Sequence, residues 1–243
     1  MRPMLTEIAE TVRLPARFNG PATSANGGYA CGVTASLIDG PAEVTLHAPP
    51  PLDTPLEVDR AADGAVAVLH GQTLVARARP TRLDDIVPPV RPTVAQAREA
   101  MRNHSWLDER HFLSDCFVCG PSRRDGLGVH FGPLPGWPKL TAALLVADAT
   151  LPHGPDGALG PELVWAALDC PSYTPEIWDA QRPSLLAGLA AELIEPVRLG
   201  EPVVAVGWPL ETEGRKHRSA SALLGADDRL LARARALWIR LAP

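Results

Sequence analysis

The chain has 243 residues, of which 46% are hydrophobic and 21% charged, with a formal net charge of −5. This is ordinary for a globular protein with room for one large core or two small ones. The negative balance excludes the electrostatic footprint of a protein that binds nucleic acid or an anionic membrane, and four cysteines in a chain this long do not read as a disulfide framework.

The opening stretch MRPMLTEIAETV has no apolar h-region, so no secretory signal is expected, and no uncharged run approaches the roughly 20 apolar residues that cross a bilayer. A reduced, cytoplasmic protein is the expectation. Lys139 and Lys216 are the only lysines against abundant Arg, Ala and Pro, a bias that suggests a GC-rich bacterial genome.

The first predicted helix lies in SANGGYACGVTASLI (24–38), opened by Asn26, Gly27 and Gly28. An apolar strand, a Pro-containing bend and another apolar strand follow in AEVTLHAPPPLDTPLEV (42–58). AVAVLHGQTLVARA (65–78) then reads as a hairpin turning at Gly71 and Gln72, residue types that tolerate tight turns. In its second strand Leu74, Ala76 and Ala78 share one face and Val75, Arg77 and Arg79 the other. A connector occupies 82–103, Pro-rich and extended in front and a short helix behind.

CFVCGPSRRDGLGVHF (116–131) holds a single CxxC, Cys116 and Cys119. No second CxxC follows to complete a four-ligand zinc site, the spacing of His111 and His130 matches no standard finger, and a redox pair lacks its βαβ setting. The expectation is a turn with two packed thiols and no metal. A second helix is predicted at GPELVWAALDC (160–170), with Asp169 late in an otherwise apolar run. AELIEPVRLGEPVVAV (191–206) repeats the strand–bend–strand pattern of 42–58. SASALLGADDRLLARA (219–234) repeats the hairpin, its last strand nearly duplicating TLVARARP (73–80) as RLLARARA (229–236).

The chain thus contains one unit twice, divided near residue 95 into 1–95 and 96–243, with insertions that rule out a short-period solenoid. Each unit reads as a helix followed by about five antiparallel strands, an α+β layout in which helix and sheet bury a face against each other.

Three stretches carry a resemblance to the hotdog fold, in which an antiparallel sheet wraps a central helix. Asn26-Gly27-Gly28 stands where many hotdog thioesterases have His-Gly-Gly; GPELVWAALD places Asp169 at the family's usual catalytic carboxylate; and 116–131 is similar to the lead-in of the first strand in a bacterial branch. Two units in one chain resemble the double-hotdog acyl-CoA thioesterases of lipid metabolism, which implies an intrachain pseudo-dimer. Each repeat departs from the pattern in a complementary way. The first has the glycines but Ala35 in the register of Asp169, and the second has Asp169 but Gly160-Pro161-Glu162 at its opening. The resemblance therefore implies one competent site and one degenerate site.

Hydrolysis of an acyl-CoA thioester needs donors for the developing oxyanion, which backbone N–H groups at a helix N-terminus supply. Glycine lets the acyl group come close, so Gly27 and Gly28 are the candidates, Gly28 first. The reaction also needs a carboxylate to attack or to activate water, the role implied for Asp169; a buried Asp bonded to backbone, or one ending the helix before Pro171, is the structural alternative. Asn26 either orients substrate or water in place of histidine or simply caps the helix. Ser172 and Thr174 are candidate water or substrate contacts, as are Tyr29 and Trp165; core filling is the alternative for Trp165, Trp208 and Trp238. Glu162, His153 and His217 are weaker candidates. Arg77, Arg79, Arg233 and Arg235 either meet a CoA phosphate or form a solvated face. No G-x-S-x-G, Walker or H-E-x-x-H motif is present. No metal or redox cofactor is implied, CoA arriving as part of the substrate, and a homo-oligomer is compatible with the fold. A non-catalytic acyl-CoA- or lipid-binding module, or an enoyl-CoA hydratase or dehydratase, are the alternatives.

Overall fold

The two near-identical octapeptides occupy equivalent strands. The computed structural model describes residues 10–104, 113–178 and 182–242. In chain order the elements are β1 (Thr11–Arg13), α1 (Gly27–Ala35), β2 (Ala42–Leu46), β3 (Pro55–Arg60), β4 (Val66–His70), β5 (Thr73–Pro80) and α2 (Val94–Met101). These are followed by β6 (Gly132–Leu134), β7 (Trp137–Val146), α3 (Pro161–Asp169), β8 (Ser184–Leu193), β9 (Pro202–Glu213), β10 (Lys216–Gly225) and β11 (Leu230–Arg240). Among the described residues the strands form one sheet, ordered β1-β3-β4-β5-β2-β8-β11-β10-β9-β7-β6. The run β3-β4-β5-β2 in the first half has the same order as β9-β10-β11-β8 in the second. Both predicted hairpins form, β4–β5 and β10–β11.

The halves join where β2 pairs antiparallel with β8, setting Ala42 opposite Ala191 and Val44 opposite Leu189. Alternation sorts most β11 side chains as expected, with Ala232, Ala234, Ala236 and Trp238 buried and Arg233 and Arg235 on the other side; Leu231, expected with the arginines, is instead buried beside Ala232, where the pairing with β10 skips it. In β5 the pattern departs from simple alternation. Val75 is the extra residue of a bulge, skipped between Leu74 opposite Leu69 and Ala76 opposite Val68, and it is buried beside Ala76 instead of sharing an exposed face with Arg77 and Arg79.

The strands do not all follow the helices. β1 precedes α1, and the β6–β7 hairpin, turning at Gly136 (φ 80°), precedes α3. The second half consequently has six strands rather than about five.

One face of the sheet packs on α1 and α3 in the main core, which includes Val44, Leu189, Leu223, Leu163 and Leu168. The other face of the second half is covered too. The connector lays Leu83, Ile86, Ala97 and Ala100 against Leu140, Val204, Trp208 and Ala222. Its helix α2 starts with a reciprocal cap, Thr93 Oγ1 accepting from the Gln96 amide and Gln96 Oε1 from the Thr93 amide. Ion pairs fasten it: Arg233 to Asp84 (3.2 Å) and Glu192 (2.6 Å), and Arg235 to Asp85 (3.6 Å). The outward arginines of β11 therefore clamp the connector, while Arg79 of β5 pairs with Glu43 across the strand (2.7 Å). No helix of the described residues is long and apolar enough to cross a membrane.

Leu189 is buried at the β2–β8 seam, so Leu189→Ala should cost about 2–5 kcal/mol in the free energy of unfolding, measured by urea titration. A cost below about 1 kcal/mol would show that the seam adds little to the shared core.

Candidate active site

Small residues on α1 let the two central helices touch. A Cβ on Gly28 would overlap Asp169 Cβ and stand 2.8 Å from the Trp165 carbonyl oxygen; one on Gly32 would stand 2.6 Å from Glu162 Cα. Gly28 thus meets the end of α3 and Gly32 its beginning, so the helices run antiparallel, with the tip of α1 against the last turn of α3.

Asn26 is the N-cap of α1, its Oδ1 accepting from the Tyr29 amide at 2.9 Å. The same side chain donates through Nδ2 to Asp169 Oδ2 at 3.0 Å, and the Gly28 amide donates to that oxygen at 2.9 Å. Asn26 therefore caps the helix and holds the carboxylate at once. The sequence places an acid from the second half and an amide-rich tip from the first in one site, and here they are hydrogen-bonded.

The last turn of α3 is braced from several sides. Ser221 Oγ donates to the Leu168 carbonyl and Ser172 Oγ to the Asp169 carbonyl, both at 2.6 Å, while Trp238 Nε1 donates to Ser172 Oγ at 2.9 Å. These bonds satisfy carbonyls that a helix end leaves unpaired. Asp169 itself is 2% exposed, and its Oδ1 has no hydrogen-bond partner. Burial pushes its pKa up to about 7; the Gly28 amide opposes that rise, negative charge on Cys116 adds to it, and the Asn26 donor opposes it. Such a carboxyl exchanges its proton near neutral pH, the range suited to acid–base work.

The other sequence candidates fall around this contact. Gly27 faces Leu186, whose Cδ2 would lie 2.9 Å from an added Cβ. Tyr29 is buried and stacks on Phe18 with ring centroids 4.1 Å apart. Trp165 is buried against Gly32. Ser172 is engaged in bracing the helix end, whereas Thr174, also fully buried, has an Oγ1 without a partner. Trp238 is part of the bracing and Trp208 belongs to the outer core beneath the connector.

The opposite end of the helix pair lacks this chemistry. There α3 opens with Pro161 and Glu162 where α1 has Gly27 and Gly28, so a charged side chain stands at the counterpart of the donor glycine, and α1 ends in Ala35 where a carboxylate would stand. A groove of about 430 Å³ lies at this tip, lined by Gly160, Pro161, Val164, Leu193 and Ile194 among others. His153 is at its approach, exposed and bonded to the Gly154 carbonyl, and Glu162 sits in the first turn of α3. His217 is buried beside Thr212, His104 bridges the carbonyls of Phe131 and Cys119, and His111 lies outside the described residues.

Sequence reasoning missed one element of the site. Cys116 and Cys119 are joined by Cys170, the residue after Asp169, and the three sulfurs lie within 4.8 Å of one another. Hydrogen bonds from the Cys119 and Cys170 thiols hold the Cys116 thiol well below its usual range, against its burial. The only signal was Cys170 adjoining the candidate acid, and spacing alone does not pair it with residues 116 and 119.

No family model matches this sequence, and no curated protein matches it. Solved structures do match over nearly the whole chain. A putative thioesterase II from Thermobifida fusca YX is 15% identical with a TM-score of 0.55, covering 96% of this chain and 96% of its own. A TesB protein of Mycobacterium avium subspecies paratuberculosis is 12% identical with a TM-score of 0.55, covering 95% and 91%. A hot dog fold protein of unknown function from Alicyclobacillus acidocaldarius is 13% identical with a TM-score of 0.52, covering 96% and 92%. At these identities the likeness establishes the fold alone: the chain has the hotdog fold, and one of these structural neighbours is named as a putative thioesterase.

Gly28→Ala would drive a methyl group into Asp169 and the Trp165 carbonyl, a backbone obstacle. It should destabilise the fold by about 1–3 kcal/mol in chemical denaturation. A neutral result would mean the helices separate without cost.

Proposed function

We propose that the chain is two tandem hotdog units, 1–95 and 96–243, forming an intrachain pseudo-dimer that hydrolyses acyl-CoA or related thioesters at one of its two helix-tip sites. The observation that carries this reading is the junction of Asp169 from the second unit with the Gly28 amide and Asn26 of the first. The name of the Thermobifida fusca neighbour, a putative thioesterase II, supports the same reaction class.

In this reading the thioester carbonyl oxygen takes over the Gly28 N–H, displacing Asp169 Oδ2, while Asn26 Nδ2 keeps its bond to the carboxylate. Glycine at that position leaves the amide approachable, and the N-terminal end of α1 favours the charge that grows on the oxygen. Asp169 removes a proton from water as the water oxygen attacks the carbonyl carbon. The tetrahedral adduct collapses with cleavage of the C–S bond, and the departing sulfur takes the proton back from Asp169. The products are a carboxylic acid and free CoA thiol. At the opposite site Glu162 replaces the glycine at the counterpart of Gly28 and Ala35 replaces the acid, so one site per chain is expected to turn over.

The burial of Asp169 to 2% exposure favours a second reading, an acyl-binding module that keeps the fold without turnover. Thiol release measured across acyl-CoA chain lengths separates the two. With Asp169→Asn, which preserves shape and both donors' positions, hydrolysis should fall about 10²–10⁴-fold while acyl-CoA binding persists. Binding without thiol release from the unaltered chain would establish the module and remove the hydrolase.

A further inference from the structure

We infer that Cys116, Cys119 and Cys170 form a thiolate site for one zinc ion, which ties the loop before β6 to the end of α3. The inference is independent of the thioesterase reading, because it concerns a metal that holds residues in place and is read out without substrate.

Three features converge on it. First, the sulfurs come from two segments of the chain, Cys116 and Cys119 from one loop and Cys170 from the end of α3, yet all lie within 4.8 Å of one another. A tetrahedral zinc–thiolate site with bonds of about 2.3 Å sets its sulfurs about 3.8 Å apart, so only a small contraction is needed. Second, all three residues are buried, Cys116 at 2%, Cys119 at 1% and Cys170 at 6% exposure, and each offers a soft sulfur donor of the kind that selects zinc over hard cations.

Third, the backbone of the loop is built around the first sulfur. The Val118 and Cys119 amides are directed at Cys116 Sγ, and the Gly120 amide donates to the Cys116 carbonyl at 2.9 Å. Asn26 Nδ2 adds a donor 3.9 Å from the same sulfur. The turn is too tight for any residue but glycine at 120, where a Cβ would stand 2.5 Å from both the Cys116 nitrogen and the Ser114 carbonyl oxygen. The loop itself is locked to its surroundings through Phe117 N to the Asn19 carbonyl (2.9 Å) and Val129 N to the Val118 carbonyl (2.8 Å). The ion would complete that lock by joining Cys170, and through it the neighbouring Asp169, to the same frame. The three cysteines supply three ligands, and water completes the tetrahedron as in other sites with three protein donors.

The test uses the full chain, stripped of metal by chelation under reducing conditions and titrated with Zn²⁺ against a chromophoric chelator, with Co²⁺ as the spectroscopic substitute. Expected are one Zn²⁺ per chain and a thiolate-to-cobalt charge-transfer band whose intensity corresponds to three sulfurs. Cys170→Ser should lose stoichiometric binding and most of that band, while Cys31→Ala, which removes the cysteine outside the cluster, should leave both unchanged. Where Cys170→Ser does not fold, the band of the unaltered chain decides: three thiolates support the site, and two overturn the assignment of Cys170. Absence of stoichiometric Zn²⁺ binding, equal binding by a folded Cys170→Ser chain, or a Cys116–Cys119 disulfide formed in place of metal uptake would each overturn the proposal.

Discussion

The structure turns on the place where the last turn of one central helix meets the first turn of the other. Gly28 and Gly32 remove the side chains that would hold the helices apart, and the resulting backbone contact brings a buried carboxylate onto a helix-tip amide. Burying an acid costs free energy unless donors replace its water. Here one oxygen has two donors and the other none, which leaves the group suspended between its charged and neutral forms. Much of the surrounding architecture serves to keep that residue still. Hydroxyls of Ser221 and Ser172 fix the carbonyls on either side of the peptide bond leading into Asp169 and out of it, and Trp238 fixes Ser172 in turn.

The two central helices offer two such meeting points, and among the described residues one of them pairs an acid with a helix-tip amide. Pro161 is well suited to start a helix, since its missing N–H is one the first turn does not use internally. It stands in the register of Gly27, and Glu162, in that of Gly28, sets a charged side chain at the corresponding amide, while Ala35 closes the opposite terminus with an apolar side chain. The first half therefore holds the glycine-flanked amide and the second the acid, and the two meet where the helices touch.

Much of this was legible beforehand. The doubled octapeptide, the Gly-Gln and Gly-Ala-Asp-Asp turns and the strand–bend–strand segments identified the repeat, because local turn chemistry and period-two burial govern hairpins. Asn26, Gly28 and Asp169 were legible through their positions at helix ends. Less accessible was whatever depends on long-range packing. The β6–β7 hairpin precedes α3 because the second half of the sheet extends past β9, and no local signal fixes that order. Val75 turns inward because it is the extra residue of a bulge against β4. The arginines of β11 read as a solvated face, yet Asp84 and Asp85 of the connector cover them. Cys170 joins Cys116 and Cys119 only because the loop folds back over the end of α3.

The sheet ends, among the described residues, in two strands of three residues each, β1 and β6, the latter with Pro133 at its centre. Short outer strands and a proline offer little template for another chain to zip onto. A wide, gently open sheet would otherwise invite runaway polymerisation, and these stubs act as buffers at both ends of the row. Growth by lateral accretion is thereby discouraged.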